Sequence, residues 1–253
     1  MNLDWGAGSY ETTAAQLWPA AERVVEHAGI RAGERVVDVG CGTGNGVLVA
    51  ARRGASVVGI DPSASLVERA AARVHAEGVK ADIRHGEAAS IPCEDGAFDA
   101  AIAIFSVIFA LDPAAAVAGM VRAVRPGGRI AVASWVPRGA IHESSNVFLR
   151  VLAPGRPPSP WGAPETLTAL FAPHGATVEI HEERLSFEAP SPQAWFEDVE
   201  NNHPAWRLFK ESAGERWDAL KRDALGGLVR SNELAQGFRV TSEYLIAVVS
   251  LPG

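Results

Sequence analysis

The chain has 253 residues, 47% of them hydrophobic, enough to bury one sizeable core or two small ones. Its 30 acidic and 23 basic residues give a formal charge of −7, and no Lys/Arg block marks a nucleic-acid footprint, so a nucleic-acid partner is disfavoured. MNLDWGAGSYE carries neither a basic nor an apolar leader segment, and the longest apolar run, AAIAIFSVIFAL, is shorter than the roughly 20 residues a spanning helix needs. A cytoplasmic protein without membrane contact is expected. Cys41 and Cys93 form no metal-ligand pattern and read as incidental small residues.

A helical lead-in over 11 to 29 comes first. Apolar runs then predict strands at 35–40, 56–61, 79–86, 98–105 and 129–135, separated by amphipathic stretches. One of these, 63–78, puts Leu66, Ala70 and Val74 on one face, with Ser63 or Ser65 to cap it and Gly78 to stop it. Strand and helix alternating in this way require right-handed crossovers and a parallel sheet covered on both faces, a doubly wound α/β fold. Residues 137–163 read as irregular structure around a short helix. Residues 164–175 read as a helix, 177–190 and 238–250 as strands, and 191–236 as a helical cap carrying Trp195, Trp206 and Trp217.

The first strand runs into VVDVGCGTGNG, with Gly40, Gly42 and Gly44 at a strand-to-helix turn. That is where doubly wound folds bind ligands, and a backbone without β-carbons admits one closely. A dinucleotide site wants a third glycine where this chain has Asn45. Asp38 in front would repel a pyrophosphate and attract an ammonium group. Asp61, at the end of the second strand, suits the paired hydroxyls of a ribose, although strands also end in Asp as a helix cap. Gly86, Glu87 and Ala88 end the third strand. Glu87 can accept from an exocyclic amine, and the Ala88 N–H can meet a ring nitrogen. Amine, ribose and adenine in that order describe S-adenosylmethionine.

Together these motifs resemble the class I S-adenosylmethionine-dependent methyltransferases, in the small-molecule branch of the type 11/25 kind, over roughly residues 10 to 135. VVDVGCGTG is similar to the family's first motif and GIDPSASL to its ribose-binding acid. GEAASIPCEDGAFD is similar to its adenine loop, and RAVRPGGRIAVASW to its helix, turn and fifth strand. The resemblance implies a Rossmann-like seven-stranded sheet whose last strand is antiparallel, with a small helical cap inserted between the sixth and seventh strands. The whole chain would form a single domain. Its core would be about 30–136, 164–190 and 237–253, and its lid elements, closing the substrate pocket, 1–29, 137–163 and 191–236. The implied cofactor contacts are Tyr10, Asp38, Gly40, Gly42, Gly44, Asp61, Pro62, Leu66, Gly86, Glu87, Ala88 and Phe105, with S-adenosylhomocysteine as the product.

Methyl transfer from a sulfonium is an in-line displacement that positioning can accelerate, without metal or covalent intermediate. Many relatives place a His after the fourth strand, where this chain has Ile108 and Phe109. His142 and His203 are therefore the candidates for a base, weighed against ordinary surface or packing histidines, with Glu143 and Asp198 behind them and His174 and His181 discounted. Trp5, Trp161, Trp195 and Trp206 fall in lid segments, and Trp5, Trp195 and Trp206 are candidates to wall an apolar acceptor, against the alternative that a small cap needs them for its own core. The expected activity is methylation of a small organic molecule at O, N or C, in secondary metabolism. A non-catalytic S-adenosylmethionine- or S-adenosylhomocysteine-binding protein, and less readily an NAD-dependent dehydrogenase, stay open as alternatives.

Overall fold

In the computed structural model, residues 11–155 and 157–253 are described. Helices α1 (Glu11–Gln16) and α2 (Trp18–His27) lead in. There follow β1 (Arg35–Val39), α3 (Asn45–Arg52), β2 (Ser56–Asp61), α4 (Ala64–Ala76), β3 (Ala81–His85), β4 (Phe98–Ile104), α5 (Pro113–Ala123) and β5 (Val124–Trp135). The remainder comprises α6 (Ala140–Leu152), α7 (Pro164–Phe171), β6 (Thr177–Ala189), α8 (Pro192–Asn202), α9 (Pro204–Ala213), α10 (Trp217–Arg230) and β7 (Phe238–Ser250). The sheet has seven strands in the order β3-β2-β1-β4-β5-β7-β6. β3, β2, β1, β4 and β5 pair in parallel and β7 runs antiparallel to β5. The expected seven-stranded Rossmann-like sheet is present, and α8, α9 and α10 stand between its sixth and seventh strands in chain order.

By contacts the chain forms two compact units. The larger comprises Leu17–Trp135, Ser159–Glu183 and Tyr244–Gly253. Alternation along its strands sorts the core into two faces. Val37 and Val39 of β1, Ala101 and Ala103 of β4, and Ile130 and Val132 of β5 pack with Val117 and Met120 of α5, Leu167 and Phe171 of α7, and Trp161. The alternate residues Val36, Ile102 and Ala131 are buried as well, on the side of α2 and α3. Burial on both faces is why these strands read as nearly continuous apolar runs. Trp161, expected in a lid segment, is instead 1% exposed in this core, with its carbonyl accepting the Ser134 hydroxyl at 2.6 Å.

The second unit holds α1, Val136–Pro158 and Arg184–Glu243. The stretch around 137–163 is more regular than its Pro/Gly/Ser content suggests, because α6 runs for 13 residues. An aromatic core explains this: Phe148 of α6 lies flat on Phe209 at 5.3 Å and edge-on to Trp206 at 5.5 Å. Phe196 and Trp195 meet Trp206 at 5.2 and 6.0 Å. Caps followed by proline start its helices: the Ser191 hydroxyl accepts the Ala194 N–H ahead of Pro192 in α8, and His203 Nδ1 accepts the Ala205 N–H ahead of Pro204 in α9. Glu200 is buried among these helices, gripped by Lys210 at 2.6 Å and by Lys221. Burial alone would push its carboxyl up, but the two ammonium groups outweigh that and hold it below the ordinary glutamate range.

Candidate functional site

The carboxyl ends of β1, β2, β3 and β4 bring the predicted loops together. Gly40, Gly42 and Gly44 all take positive φ, at +69°, +55° and +91°, and Gly44 in the left-handed region starts α3. A β-carbon added at Gly42 would meet nothing within 4 Å. The bare backbone there opens into free space rather than into packed protein, as a cradle for a ligand requires. The loop is tied down along its edges. Cys41 N–H donates to the Ile60 carbonyl at 2.8 Å, and Gly42 N–H donates to Asp61 Oδ2 at 2.9 Å. On the α4 side, Arg73 donates to the Thr43 carbonyl at 3.2 Å and to Asn45 Oδ1 at 2.7 Å. Asn45, where a dinucleotide loop would have glycine, spends its side chain on this guanidinium. Burial pushes the Cys41 thiol well up, which leaves it protonated and inert.

Asp38, where the sequence suggests an ammonium contact, is buried at the end of β1. It is 1% exposed, on the α3 side of β1, where Val47 N–H donates to it and Gly46 lacks a β-carbon that would meet Oδ2 at 2.5 Å. Oδ1 is buried without a hydrogen-bond partner. Burial pushes its pKa up to about 7, with a smaller contribution from the Asp61 charge. A group half protonated near neutrality is a weaker argument against a pyrophosphate than a full carboxylate charge.

Asp61 is buried, and both of its oxygens accept backbone N–H groups, Gly42 at Oδ2 and Ser63 at Oδ1, each at 2.9 Å. Burial raises its carboxyl above the ordinary aspartate range against these two bonds. Each oxygen keeps a further lone pair, so a diol can still be accepted. Pro62 is exposed beside it, and Leu66 is buried in the first turn of α4, whose N-cap is Ser63. Gly86 packs on Pro92, Glu87 is exposed, and the Ala88 carbonyl lies against α5, where a β-carbon on Gly119 would come within 1.9 Å. Gly119, a lone glycine in an alanine-rich helix, thus seats the third loop, a contact that helix periodicity does not announce.

Phe105 directly follows β4. Its ring stacks on Trp135 at 3.8 Å, nearly parallel, and meets Tyr244 edge-on at 5.3 Å. Burial pushes the Tyr244 phenol up to about 12. Tyr10 and Trp5 lie outside the described residues. Of the candidate bases, His142 Nε2 stands 2.7 Å from Asn146 Nδ2, with its ring held below the usual histidine range by burial. His203 serves as the cap of α9, and burial lowers it to about 4. Asp198 accepts from Asn202, Glu143 faces Arg150 at 3.8 Å, His181 stacks on His27, and His174 sits in a 3₁₀ turn. Trp195 and Trp206 do come together, each 4% exposed, and that surface is committed to the aromatic core described above.

A family profile described as "Methyltransferase domain" matches residues 37–132, spanning the glycine loop, Asp61 and the third loop. Nocamycin O-methyltransferase of Saccharothrix syringae is 32% identical over 219 residues, covering 77% of this chain and 78% of that one. An uncharacterized protein of Mycobacterium tuberculosis is 31% identical over 193 residues, covering 73% and 69%. Among solved structures, the YcgJ protein of Bacillus subtilis superposes with a TM-score of 0.67 at 18% identity, covering 93% of this chain and 99% of that one.

Proposed function

Since the chain belongs to the class I S-adenosylmethionine-dependent methyltransferases and so transfers a methyl group to a small organic molecule, we propose that it holds S-adenosylmethionine along the carboxyl ends of β1 to β4 and methylates a secondary metabolite at oxygen. The observation that carries the cofactor reading is the glycine loop. Its backbone opens into free space at Gly42 while Asp61 holds it from the β2 side. Gly40, Gly42 and Gly44 would admit the methionine end, Asp61 with Pro62 the ribose, and Leu66, Gly86, Glu87 and Ala88 the adenine, with Phe105 beside the reacting end and Tyr10 at the rim. Bound there, the cofactor supplies a methyl carbon already activated by a sulfonium.

The oxygen acceptor and the metabolite class follow the name of the Saccharothrix relative. Where a proton must leave, we assign its removal to His142. It is kept neutral by burial, and its ring partner is an asparagine side chain that can turn away, whereas the His203 lone pair is held by a backbone N–H. Trp5, Trp195 and Trp206 remain candidates to shape the acceptor side. The protein would work in the cytoplasm on a free small molecule rather than on nucleic acid. Its net charge of −7 and its two unpaired cysteines support this, and among the described residues no helix is long and apolar enough to cross a membrane. Incubation with methyl-labelled S-adenosylmethionine and a fractionated metabolite extract tests the activity. Label should appear on an organic product with a new methyl ether. Bound cofactor with no labelled product from any extract would favour a binding module instead.

A further inference from the structure

Phe105 is the one non-glycine residue with positive φ among the described residues, at +53°. For a bulky side chain this conformation is strained, and it persists only where its surroundings enforce it. Here the enforcement is visible. The ring is stacked on Trp135 and braced by Tyr244, and Phe105 N–H donates to the Ala133 carbonyl at 3.1 Å. The strained turn delivers the next residue, Ser106, onto the end of β1. The Ser106 hydroxyl donates to the Val39 carbonyl. A β-carbon built on Gly40 would lie 2.4 Å from that of Ser106. Position 40 thus has two reasons to be glycine, its φ of +69° and the serine occupying the space beside it.

From this geometry we infer that Ser106 is a positioning residue for the methyl-donor site. The Val39 carbonyl and the Gly40 N–H belong to one rigid peptide plane, so a bond to the first fixes the direction of the second. Ser106 sets this first peptide of the glycine loop from the β4 side. Cys41 and Gly42 are set from the β2 side through Ile60 and Asp61. The β4 contact alone links the loop to the strained aromatic turn. Ser106 reaches no ligand itself in this scheme. It fixes the height at which the loop meets one, and the inference rests on the reading that this loop holds S-adenosylmethionine.

The test is calorimetric titration of S-adenosylhomocysteine into the full chain, with melting temperature and amide hydrogen exchange measured in parallel. The wild type should bind, and Ser106→Ala should weaken binding by about 5- to 10-fold, the loss of one buried hydrogen bond. Its faster exchange should be confined to residues 39–44, with the melting temperature lowered by only about 2–4 °C per kcal/mol lost. Gly40→Ala should bind more weakly still, from the strained φ at position 40 and the clash with Ser106 together. Affinity within twofold of wild type in Ser106→Ala, or exchange that rises throughout the sheet, would each overturn the inference while leaving the cofactor reading intact. A wild type that binds neither S-adenosylmethionine nor S-adenosylhomocysteine would overturn both.

Discussion

Asp38 combines a motif position with an environment hostile to its charge. Its folded pKa of about 7 lies above the ordinary aspartate value of 3.8, so the folded state prefers the protonated acid. The stability this preference provides is complete below about pH 4 and lost as pH rises through about 7. Asp38→Asn removes that dependence. Chemical denaturation across pH 4 to 8 should show the variant gaining on the wild type as pH rises, by a few kcal/mol at the upper end, on the order set by the shift. A constant difference across that range would contradict the burial account. The residue types at this site were legible in the sequence, and Asp61 and the three glycines stand where their spacing puts them. The surroundings of Asp38 were not. Strand alternation does put it on the face opposite Val37 and Val39, but the closeness of α3 at Gly46 is a tertiary fact.

Among the elements, most strands and helices with strong local signals were readable to within a residue or two, whereas β5, expected from 129, starts at Val124 and takes in the Pro/Gly stretch read as a turn. β2 spans Ser56–Asp61 as expected, and α4 starts after Ser63 as its cap. α6 was harder, because nothing local to 137–163 announces that Phe148 will pack on Phe209 and Trp206. The junction of α8 and α9 was misleading in a different way. His203 precedes a proline as Ser191 does, and it caps its helix in the same manner. A histidine that must stay neutral makes this cap sensitive to acid. Its folded pKa of about 4 lies below the ordinary 6.5, so the stability it contributes is present above about pH 6.5 and lost as pH falls toward 4. His203→Ala should lower stability at pH 7 by about 1 kcal/mol, the worth of an N-cap, and flatten the acid limb between pH 6.5 and 4. Thermal melts at several pH values read both effects. An unchanged acid limb would leave His203 without the capping role.

At the scale of the whole molecule, the doubly wound sheet was legible because its strands are buried on both faces and its crossovers leave a regular rhythm. The helical unit was legible only as an insertion. Its tryptophans read as a wall for a substrate or, for at least half of them, as a core, and the ring contacts bring Trp195 and Trp206 together and Trp206 against Phe196. What the sheet presents at its carboxyl ends is a loop held by Asp61, Ser106 and Arg73, open at Gly42. We propose that this loop takes S-adenosylmethionine, and calorimetric titration of S-adenosylhomocysteine into the wild type and Asp61→Ala tests this directly. The wild type should show one site per chain and the variant binding weaker by roughly ten- to a hundredfold, the worth of one or two charge-assisted hydrogen bonds. Uptake of NAD(H) without any of S-adenosylmethionine or S-adenosylhomocysteine, or equal affinity in the two proteins, would contradict it.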